Sequence, residues 1–315
     1  MQQLSDHKTG PDARSYPISI EHVTKSYGGD AVVDDLSFVV EPGRVTGFLG
    51  PNGAGKSTTM KILLGLASTT SGQATIGGLA YDELPDPTAT VGASVESDAF
   101  HPGRTGRNHL RILADATDTP LERVDEVLEM VDLSAAANRK AGAYSLGMKQ
   151  RLGLAAALLC DPPVLVLDEP GNGLDPQGIR TLRNLLRARA ADGNTVFVSS
   201  HLLGEVEQLA DDVVVLNQGR LVTQGALSEL QHSASLVRAA APDALQVALE
   251  AAGGVVESGQ PGTLVVRGLS LDEIGKRAFS AGIELHELSH HNDSLEDRFF
   301  AWTGAGDGTQ SNPKE

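Results

Sequence analysis

The stretch VTGFLGPNGAGKSTTMKILLGL at residues 45–66 decides the fold of this 315-residue chain. It contains the pattern G-x-x-x-x-G-K-[ST], which is filled here by Gly50, Gly55, Lys56 and Ser57. Glycines let successive backbone N–H groups curve around phosphate oxygens without a Cβ in the way, and a helix N-terminus adds a favourable dipole. The stretch therefore predicts a buried strand, a phosphate-binding loop and a helix, in that order.

The loop also predicts how a nucleoside triphosphate is held. We expect Lys56 to reach the β- and γ-phosphates and the Ser57 hydroxyl to hold Mg²⁺. The residues that we expect to contact the nucleotide are Gly50, Asn52, Gly53, Gly55, Lys56, Ser57 and Thr58. A chance match to the pattern arises in on the order of one chain in a hundred of this length. The loop alone predicts nucleotide binding and no particular reaction.

An acidic pair ends a second buried strand, in PPVLVLDEP at residues 162–170. The run VLVL does not alternate, which is typical of a strand covered on both faces. Asp168 is predicted to support Mg²⁺, and Glu169 to act as the general base that polarises the attacking water. The alternative is that Asp-Glu-Pro is only a polar strand exit.

A histidine follows a third apolar strand, TVFVSS, at His201. If this strand lies beside the strand of the phosphate-binding loop, the histidine comes close to a γ-phosphate, which favours a role as γ-phosphate sensor. A surface or helix-capping histidine is the alternative.

Apolar runs alternate with helical patterns through the first two thirds of the chain, which predicts an α/β fold with a mainly parallel sheet. The predicted strands are Ile18–Val23, Leu36–Val40, Val45–Leu49, Val91–Val95, Val164–Leu167, Thr195–Ser199 and Val213–Leu216. The predicted helices cover residues 55–66, 107–117, 121–131, 147–160, 176–191 and 202–210.

The pattern changes after about residue 230, where strand, helix, two strands, helix and strand follow one another with a closing helix at residues 294–302. This predicts a small α+β domain over residues 231–303. We expect the main domain to cover residues 17–230. The polar ends, residues 1–16 and 304–315, are predicted to be disordered tails.

The charge and composition exclude several classes of protein. The formal net charge is −16, and residues 226–315 carry six basic against 13 acidic side chains, so we expect no nucleic-acid partner. The one cysteine, Cys160, cannot form an internal disulfide and fits a reducing compartment. No secretory leader or spanning segment is visible. We therefore expect a cytoplasmic protein.

The segment YSLGMKQRLGLAAALL at residues 144–159 resembles the signature of ABC-type ATPases, usually written LSGGQ. The resemblance extends over about residues 17–230. It implies a P-loop NTPase of ABC type with a mainly parallel core sheet, an antiparallel β subdomain and a helical subdomain. It also implies an ATP-hydrolysing subunit that powers a separate polytopic membrane permease from the cytoplasmic face of the membrane.

Other sequence motifs of the family are also found along the chain. By resemblance, Ser145 and Gly147 of the signature bind the γ-phosphate of ATP held by a second ATPase subunit, most simply in a homodimer. Tyr27 matches the aromatic residue that stacks on adenine. GNGLDP at residues 171–176 matches the D-loop, with Asp175 at the dimer contact.

The chain departs from the family pattern at three positions, and two of these departures indicate a subfamily. Glu96 stands where the family has a glutamine that reaches Mg²⁺, Leu146 replaces a signature glycine, and Gly171 replaces a serine or threonine. The first two, together with LEDRFFAWTG at residues 295–304, resemble bacterial exporters of antibiotics, bacteriocins and lantibiotics that confer self-protection. We expect Glu96 to serve as a Mg²⁺ ligand, although its charge lies beside a triphosphate.

The alternative function is that of a soluble ABC-type ATPase in DNA repair or translation. Repair proteins of this type carry long coiled-coil insertions, and translational ones usually carry two cassettes with basic linkers. This chain has one cassette, no heptad insertion and an acidic extension. The sequence therefore favours transport.

Overall fold

The computed structural model describes residues 16–95, 100–231, 234–258 and 262–291, which form two compact units divided between Gln224 and Gly225. The strands are β1 (Ile18–Tyr27), β2 (Asp30–Val40), β3 (Val45–Leu49), β4 (Ser71–Ile76), β5 (Val91–Ser94), β6 (Val164–Leu167), β7 (Thr195–Ser200), β8 (Asp212–Asn217), β9 (Arg220–Ala226), β10 (Ala234–Ala239), β11 (Val255–Ser258), β12 (Thr263–Arg267) and β13 (Leu285–His291). The helices are α1 (Lys56–Leu63), α2 (Pro87–Thr90), α3 (Gly106–Ala116), α4 (Glu122–Met130), α5 (Leu146–Ala157), α6 (Pro176–Ala191), α7 (Leu203–Leu209), α8 (Leu227–Gln231), α9 (Pro242–Glu250) and α10 (Leu271–Ser280).

A six-stranded sheet of order β5-β6-β7-β3-β8-β9 forms the centre of the first unit. The pairs β5–β6, β6–β7, β7–β3 and β3–β8 are parallel, which confirms the predicted mainly parallel sheet. Alternate residues of the central strands enter two separate cores, because neighbours in a strand point to opposite faces. Leu165 and Val196 belong to one core, whereas Val166 and Phe197 belong to the other.

A three-stranded antiparallel sheet of order β2-β1-β4 covers one of these cores. The ring of its Phe38 packs against those of Phe48 and Phe197 in the central sheet, at centroid distances of 5.3 and 5.7 Å. The sequence prediction misses one strand of this sheet and misplaces the bounds of the others, since β1 also ends at Tyr27 instead of Val23. The strand β4 was not predicted, and β2 begins at Asp30 instead of Leu36. Tyr16, assigned to the tail, contacts this core, and its carbonyl accepts the hydroxyl hydrogen bond of Thr195 at 2.6 Å.

Helices α3, α4 and α5 pack on the other core as a helical subdomain. The side chains of Leu110, Val127, Leu128 and Leu152 are fully buried there. Thr105 caps α3, since its hydroxyl accepts the Asn108 N–H at 3.1 Å and so satisfies one of the free amides of the first turn.

The second unit contains a four-stranded antiparallel sheet of order β11-β12-β10-β13, on which α9 and α10 pack. Val237, Leu245, Val266 and Ile274 have no exposed surface and form its core. From β10 onward the described elements follow the predicted order of strand, helix, two strands, helix and strand. The predicted closing helix and the two tails, apart from Tyr16, lie outside the described residues. Among the residues that are described, no helix is long and apolar enough to cross a lipid bilayer.

Candidate functional site

Three neighbouring strands deliver polar groups to one edge of the central sheet. β3 leads into the phosphate-binding loop, β6 leads to Asp168 and Glu169, and β7 leads to His201. Because β6, β7 and β3 are adjacent and parallel, their carboxyl ends meet. The result is a pocket of about 460 Å³, whose lining residues are Val32, Asn52, Gly53, Ala54, Gly55, Lys56, Ser57, Thr58, Glu169, Asn172 and His201.

The loop before α1 needs its glycines for two different reasons. Gly55 has a φ of +103°, and a Cβ on it would lie 2.8 Å from the carbonyl oxygen of Val32. Gly50 has an ordinary φ, but its Cβ would lie 2.7 Å from the carbonyl oxygen of Leu216. Since Gly55 is the N-cap of α1 and supplies no side chain, the first amides of the helix remain available for an anion.

Lys56 lies at the bottom of this pocket and is only 6% exposed. Its ammonium donates to the carbonyl oxygens of Gly50 at 2.7 Å and Pro51 at 3.3 Å, and it lies 3.7 Å from Oε1 of Glu169. Burial lowers the pKa of Lys56, while the carboxylates of Glu169 and Asp168 oppose that shift. The loop therefore holds a cation beside its own amides, which suits a polyphosphate.

Glu169 lies between two other groups of the pocket. Its Oε2 atom is 2.6 Å from Nδ1 of His201, opposite the Oε1 atom that faces Lys56. The backbone of Glu169 has a φ of +50°, a left-handed conformation that costs a residue with a Cβ about 1–2 kcal/mol. Such strain persists where the surroundings enforce it, and functional sites are common places for it.

Asp168 is held by neighbours on both sides. Its N–H donates to the carbonyl oxygen of Ser94 at 2.8 Å, and its Oδ1 atom accepts the hydroxyl of Ser199. A hydroxyl and a carboxylate are the hard oxygen ligands that Mg²⁺ prefers, and the ion needs only one or two carboxylates when a phosphate completes its shell. Ser57 and Asp168 therefore fit Mg²⁺. The third predicted ligand, Glu96, lies outside the described residues.

The signature residues do not line this pocket, and Gly147 among them packs against the D-loop. Ser145 is exposed and caps α5, its hydroxyl accepting the N–H of Met148 at 3.3 Å. Gly147 is buried, and a Cβ on it would lie 2.5 Å from the carbonyl oxygen of Gly173. Asp175 caps α6 and lies 3.3 Å from the Arg151 guanidinium. The predicted signature and D-loop residues are thus not among the residues that line the pocket of their own chain.

Tyr27, the predicted adenine contact, lies at the end of β1 and is 55% exposed. Its ring faces the ammonium of Lys25, which is 4.8 Å from the ring centroid. It does not line the pocket of the phosphate-binding loop. An exposed aromatic ring is available for stacking, but the structure does not bring it together with Lys56.

Leu146, the residue that replaces a signature glycine, lies over Gly173 of the D-loop. Gly173 has a φ of +75°, and a Cβ on it would be 2.6 Å from Cγ and 3.1 Å from Cβ of Leu146. Those atoms belong to the inner part of the leucine side chain, so a change of its terminal methyl groups would not remove the clash. The glycine therefore makes room for Leu146.

Replacing Gly173 by alanine should lower the free energy of unfolding by about 2–4 kcal/mol, because a positive φ and an overpacked contact add together. Gly193→Ala is the matched control, since Gly193 has a φ of +89° but no atom near its Cβ position. It should lose only the backbone part, about 1–2 kcal/mol. Leu146→Ala should restore part of the loss in the Gly173 variant. Urea unfolding measures all three, and equal losses in the two glycine variants would contradict the contact.

Known proteins that resemble this chain agree with the resemblance drawn from its sequence motifs. Residues 33–172 match the ABC transporter family, and residues 233–296 match a domain of unknown function. The chain is 36% identical to a bacitracin transport ATP-binding protein of Enterococcus faecalis over 305 residues, which cover 92% of this chain and 97% of that protein. It is 35% identical to a lantibiotic transport ATP-binding protein of Streptococcus pyogenes over 207 residues, 66% of this chain and 90% of that protein.

Solved structures show the same likeness. The ATP-binding subunit of an ABC transporter superposes with a TM-score of 0.62 at 29% identity, covering 68% of this chain and 91% of that one. A dimeric bacterial ABC transporter cassette superposes with a TM-score of 0.61 at 24% identity, covering 67% and 98% of the two chains, and supports the fold alone.

Proposed function

This chain belongs to the ATP-binding proteins of the ABC transporter family, and from that premise we propose that its first unit hydrolyses ATP to drive export of a drug, antibiotic or peptide. The observation that carries the proposal is the meeting of Lys56, Glu169 and His201 around one pocket. The pocket combines helix amides, a buried cation and a carboxylate beside a histidine. Helix amides and a cation bind a polyphosphate, and a carboxylate can orient the attacking water in phosphoryl transfer.

Each group has a distinct part in hydrolysis. The loop amides and Lys56 bind the β- and γ-phosphates. Ser57 and Asp168 would hold Mg²⁺, which would supply further positive charge to the phosphates. Glu169 orients a water molecule and takes its proton as the water oxygen bonds to the γ-phosphorus and the bond to ADP breaks. His201, whose Nδ1 lies 2.6 Å from Oε2 of Glu169, orients that carboxylate, and we assign it the role of γ-phosphate sensor.

A second subunit completes the site. Ser145, Gly147 and Asp175 do not line the pocket of their own chain, so we assign them to the nucleotide of a second copy. The exposed N-terminus of α5 presents amides to that γ-phosphate, and Tyr27 stacks on adenine within its own chain. Since one chain carries both sets of groups, two copies form a dimer with two equivalent sites.

The membrane partner is a separate polytopic permease, with this subunit on the cytoplasmic face of the cell membrane. The cargo is of the kind that the names of the relatives give, bacitracin or a lantibiotic. The relatives described above are all transport proteins by name. DNA repair or translation therefore has no specific support.

Transport is tested with the tagged 315-residue chain expressed in a bacterium together with the genes that flank its own gene. We expect a polytopic membrane protein to co-purify in detergent, and the pair to raise the inhibitory concentration of bacitracin or of a lantibiotic. The Glu169→Gln variant should co-purify but give no protection. Association with ribosomes or DNA in place of a membrane protein would contradict the assignment, as would equal protection by the variant.

A further inference from the structure

We infer that Ser199 is a positioning residue that holds Glu169 in its working geometry, with Gln150 as a weaker second support. The inference rests on the proposed role of Glu169 as the general base. Neither residue is among the predicted site residues, and neither lines the nucleotide pocket. Ser199 accepts a hydrogen bond from the backbone N–H of Glu169, and Gln150 donates one to its carbonyl oxygen.

Glu169 needs external support because its backbone is strained. Its φ of +50° places a residue with a Cβ in the left-handed region. Its N–H donates to Oγ of Ser199 at 2.9 Å. Its carbonyl oxygen accepts the N–H of Asn172 at 3.1 Å, within the turn, and Nε2 of Gln150 at 3.4 Å. The amide side of Glu169 therefore depends on a single hydroxyl from another strand.

The hydroxyl of Ser199 has a defined direction of hydrogen bonding. Its one proton goes to Oδ1 of Asp168, so its lone pair is free to accept the Glu169 N–H. The chain of bonds runs from amide to hydroxyl to carboxylate and joins the two neighbouring acidic residues. Ser199 has no exposed surface. Without the hydroxyl, the partly buried amide of Glu169 and a carboxylate oxygen of Asp168 would each lose a partner.

Gln150 adds a link to the signature helix. It lies on α5, is 8% exposed, and its contact with the carbonyl of Glu169 is long. Helix α5, which is capped by Ser145, therefore also contacts Glu169, the proposed general base, within the same chain. We expect Gln150 to have a smaller effect than Ser199, because the Asn172 amide still holds the same carbonyl oxygen.

The next residue of β7 provides a matched control. The hydroxyl of Ser200 is also buried, but it accepts the Leu202 N–H at 3.0 Å and lies 3.3 Å from Oε2 of Glu205. Ser199→Ala and Ser200→Ala thus remove the same atom from adjacent buried positions. Only the first removes a bond to Glu169.

Steady-state ATP hydrolysis by the full-length chain tests the inference. Ser199→Ala should lower kcat by about 10²-fold, the effect of displacing a catalytic group by about 1 Å, while KM for ATP stays unchanged. Ser200→Ala should leave both unchanged, and Gln150→Met should lower kcat by a smaller factor. Thermal unfolding of each variant shows whether it is folded.

Threonine and valine at position 199 distinguish the effect of the hydroxyl on kcat from the effect of side-chain shape. The two residues have nearly the same volume, so any strain from the added methyl group is common to both. Ser199→Thr should keep most of kcat, whereas Ser199→Val should lose it. The pair decides the question even if the alanine variant does not fold. Equal kcat values for threonine and valine, or a folded alanine variant with wild-type kcat, would overturn the inference.

The Glu169→Gln variant distinguishes this inference from the proposed function. If that variant hydrolyses ATP normally, the assignment of the base fails whatever Ser199 does. If it is inactive and Ser199→Ala is fully active, only the positioning role fails. In the Glu169→Gln background, Ser199→Ala should cause little further loss of the residual rate, because residues that act as a unit are not additive. A second full loss there would show that Ser199 acts through another group, such as Asp168, and would overturn the inference.

Discussion

Replacing Glu169 by glutamine is expected to lower kcat for ATP hydrolysis by about 10²-fold or more while ATP binding is retained. Glutamine keeps the size of the side chain and removes the basic oxygen that takes the proton of the attacking water. It also replaces the carboxylate that lies 3.7 Å from Lys56 and 2.6 Å from His201. The removal of a negative charge beside a triphosphate should leave the affinity for ATP unchanged or raised.

Phosphate release measures the rate of this variant, and a fluorescent ATP analogue measures its affinity. Glu205→Gln is a suitable control because Glu205 is a nearby, half-buried carboxyl, whose pKa is raised mainly by burial. It does not line the nucleotide pocket. We expect the control to retain most of kcat. Turnover of the Glu169 variant at the wild-type rate would show that another group is the base.

The same variant should accumulate as an ATP-bound dimer, because nucleotide trapped between two copies is no longer consumed. Light scattering after gel filtration should give twice the mass with ATP and Mg²⁺, and the mass of one chain without nucleotide. Ser145→Arg, which places a bulky cation at the exposed start of α5, should prevent that dimer without unfolding the chain. An ATP-bound monomer of the Glu169 variant would contradict the assignment of the signature residues to a second copy.

The buried elements of the central sheet could be predicted from the sequence, whereas polar edge elements could not. The strand Val164–Leu167 and the helix Pro176–Ala191 have the predicted bounds, since a wholly apolar run and a Pro-initiated helix are unambiguous locally. The strand β4, SGQATI, has only one fully buried side chain and no apolar alternation. It becomes a strand because it pairs with β1, a contact that no local pattern reveals.

In the site, too, some residues could be predicted from the sequence, whereas others depend on tertiary contacts. The rule that parallel strands end at one edge of the sheet placed Lys56, Glu169 and His201 around one pocket, and the family relationship is confirmed by the relatives. Ser199 was predicted only as part of a strand. Its contact with Glu169 depends on the register of β6 against β7 and on a left-handed turn at a glutamate, and neither follows from sequence periodicity.

Replacing Lys56 by alanine should raise the dissociation constant for ATP by about 10²-fold, because charge-assisted hydrogen bonds to phosphate contribute about 1.5–3 kcal/mol each. Lys56 is 6% exposed, and the carbonyl oxygens of Gly50 and Pro51 hold its ammonium within the phosphate-binding loop. No other cation among the described residues that line the pocket can replace it.

Thermal unfolding with and without ATP measures this loss without any need for turnover. At an ATP concentration about 100 times the wild-type dissociation constant, bound ATP stabilises the wild-type chain by about 2.7 kcal/mol. A 10²-fold weaker variant gains only about 0.4 kcal/mol at that concentration, so its unfolding temperature should hardly move. Lys61→Ala removes a lysine from the last turn of the same helix, outside the pocket, and should keep the full shift. Equal shifts in both variants would show that Lys56 does not bind the phosphates, and the loop amides alone would then account for nucleotide affinity.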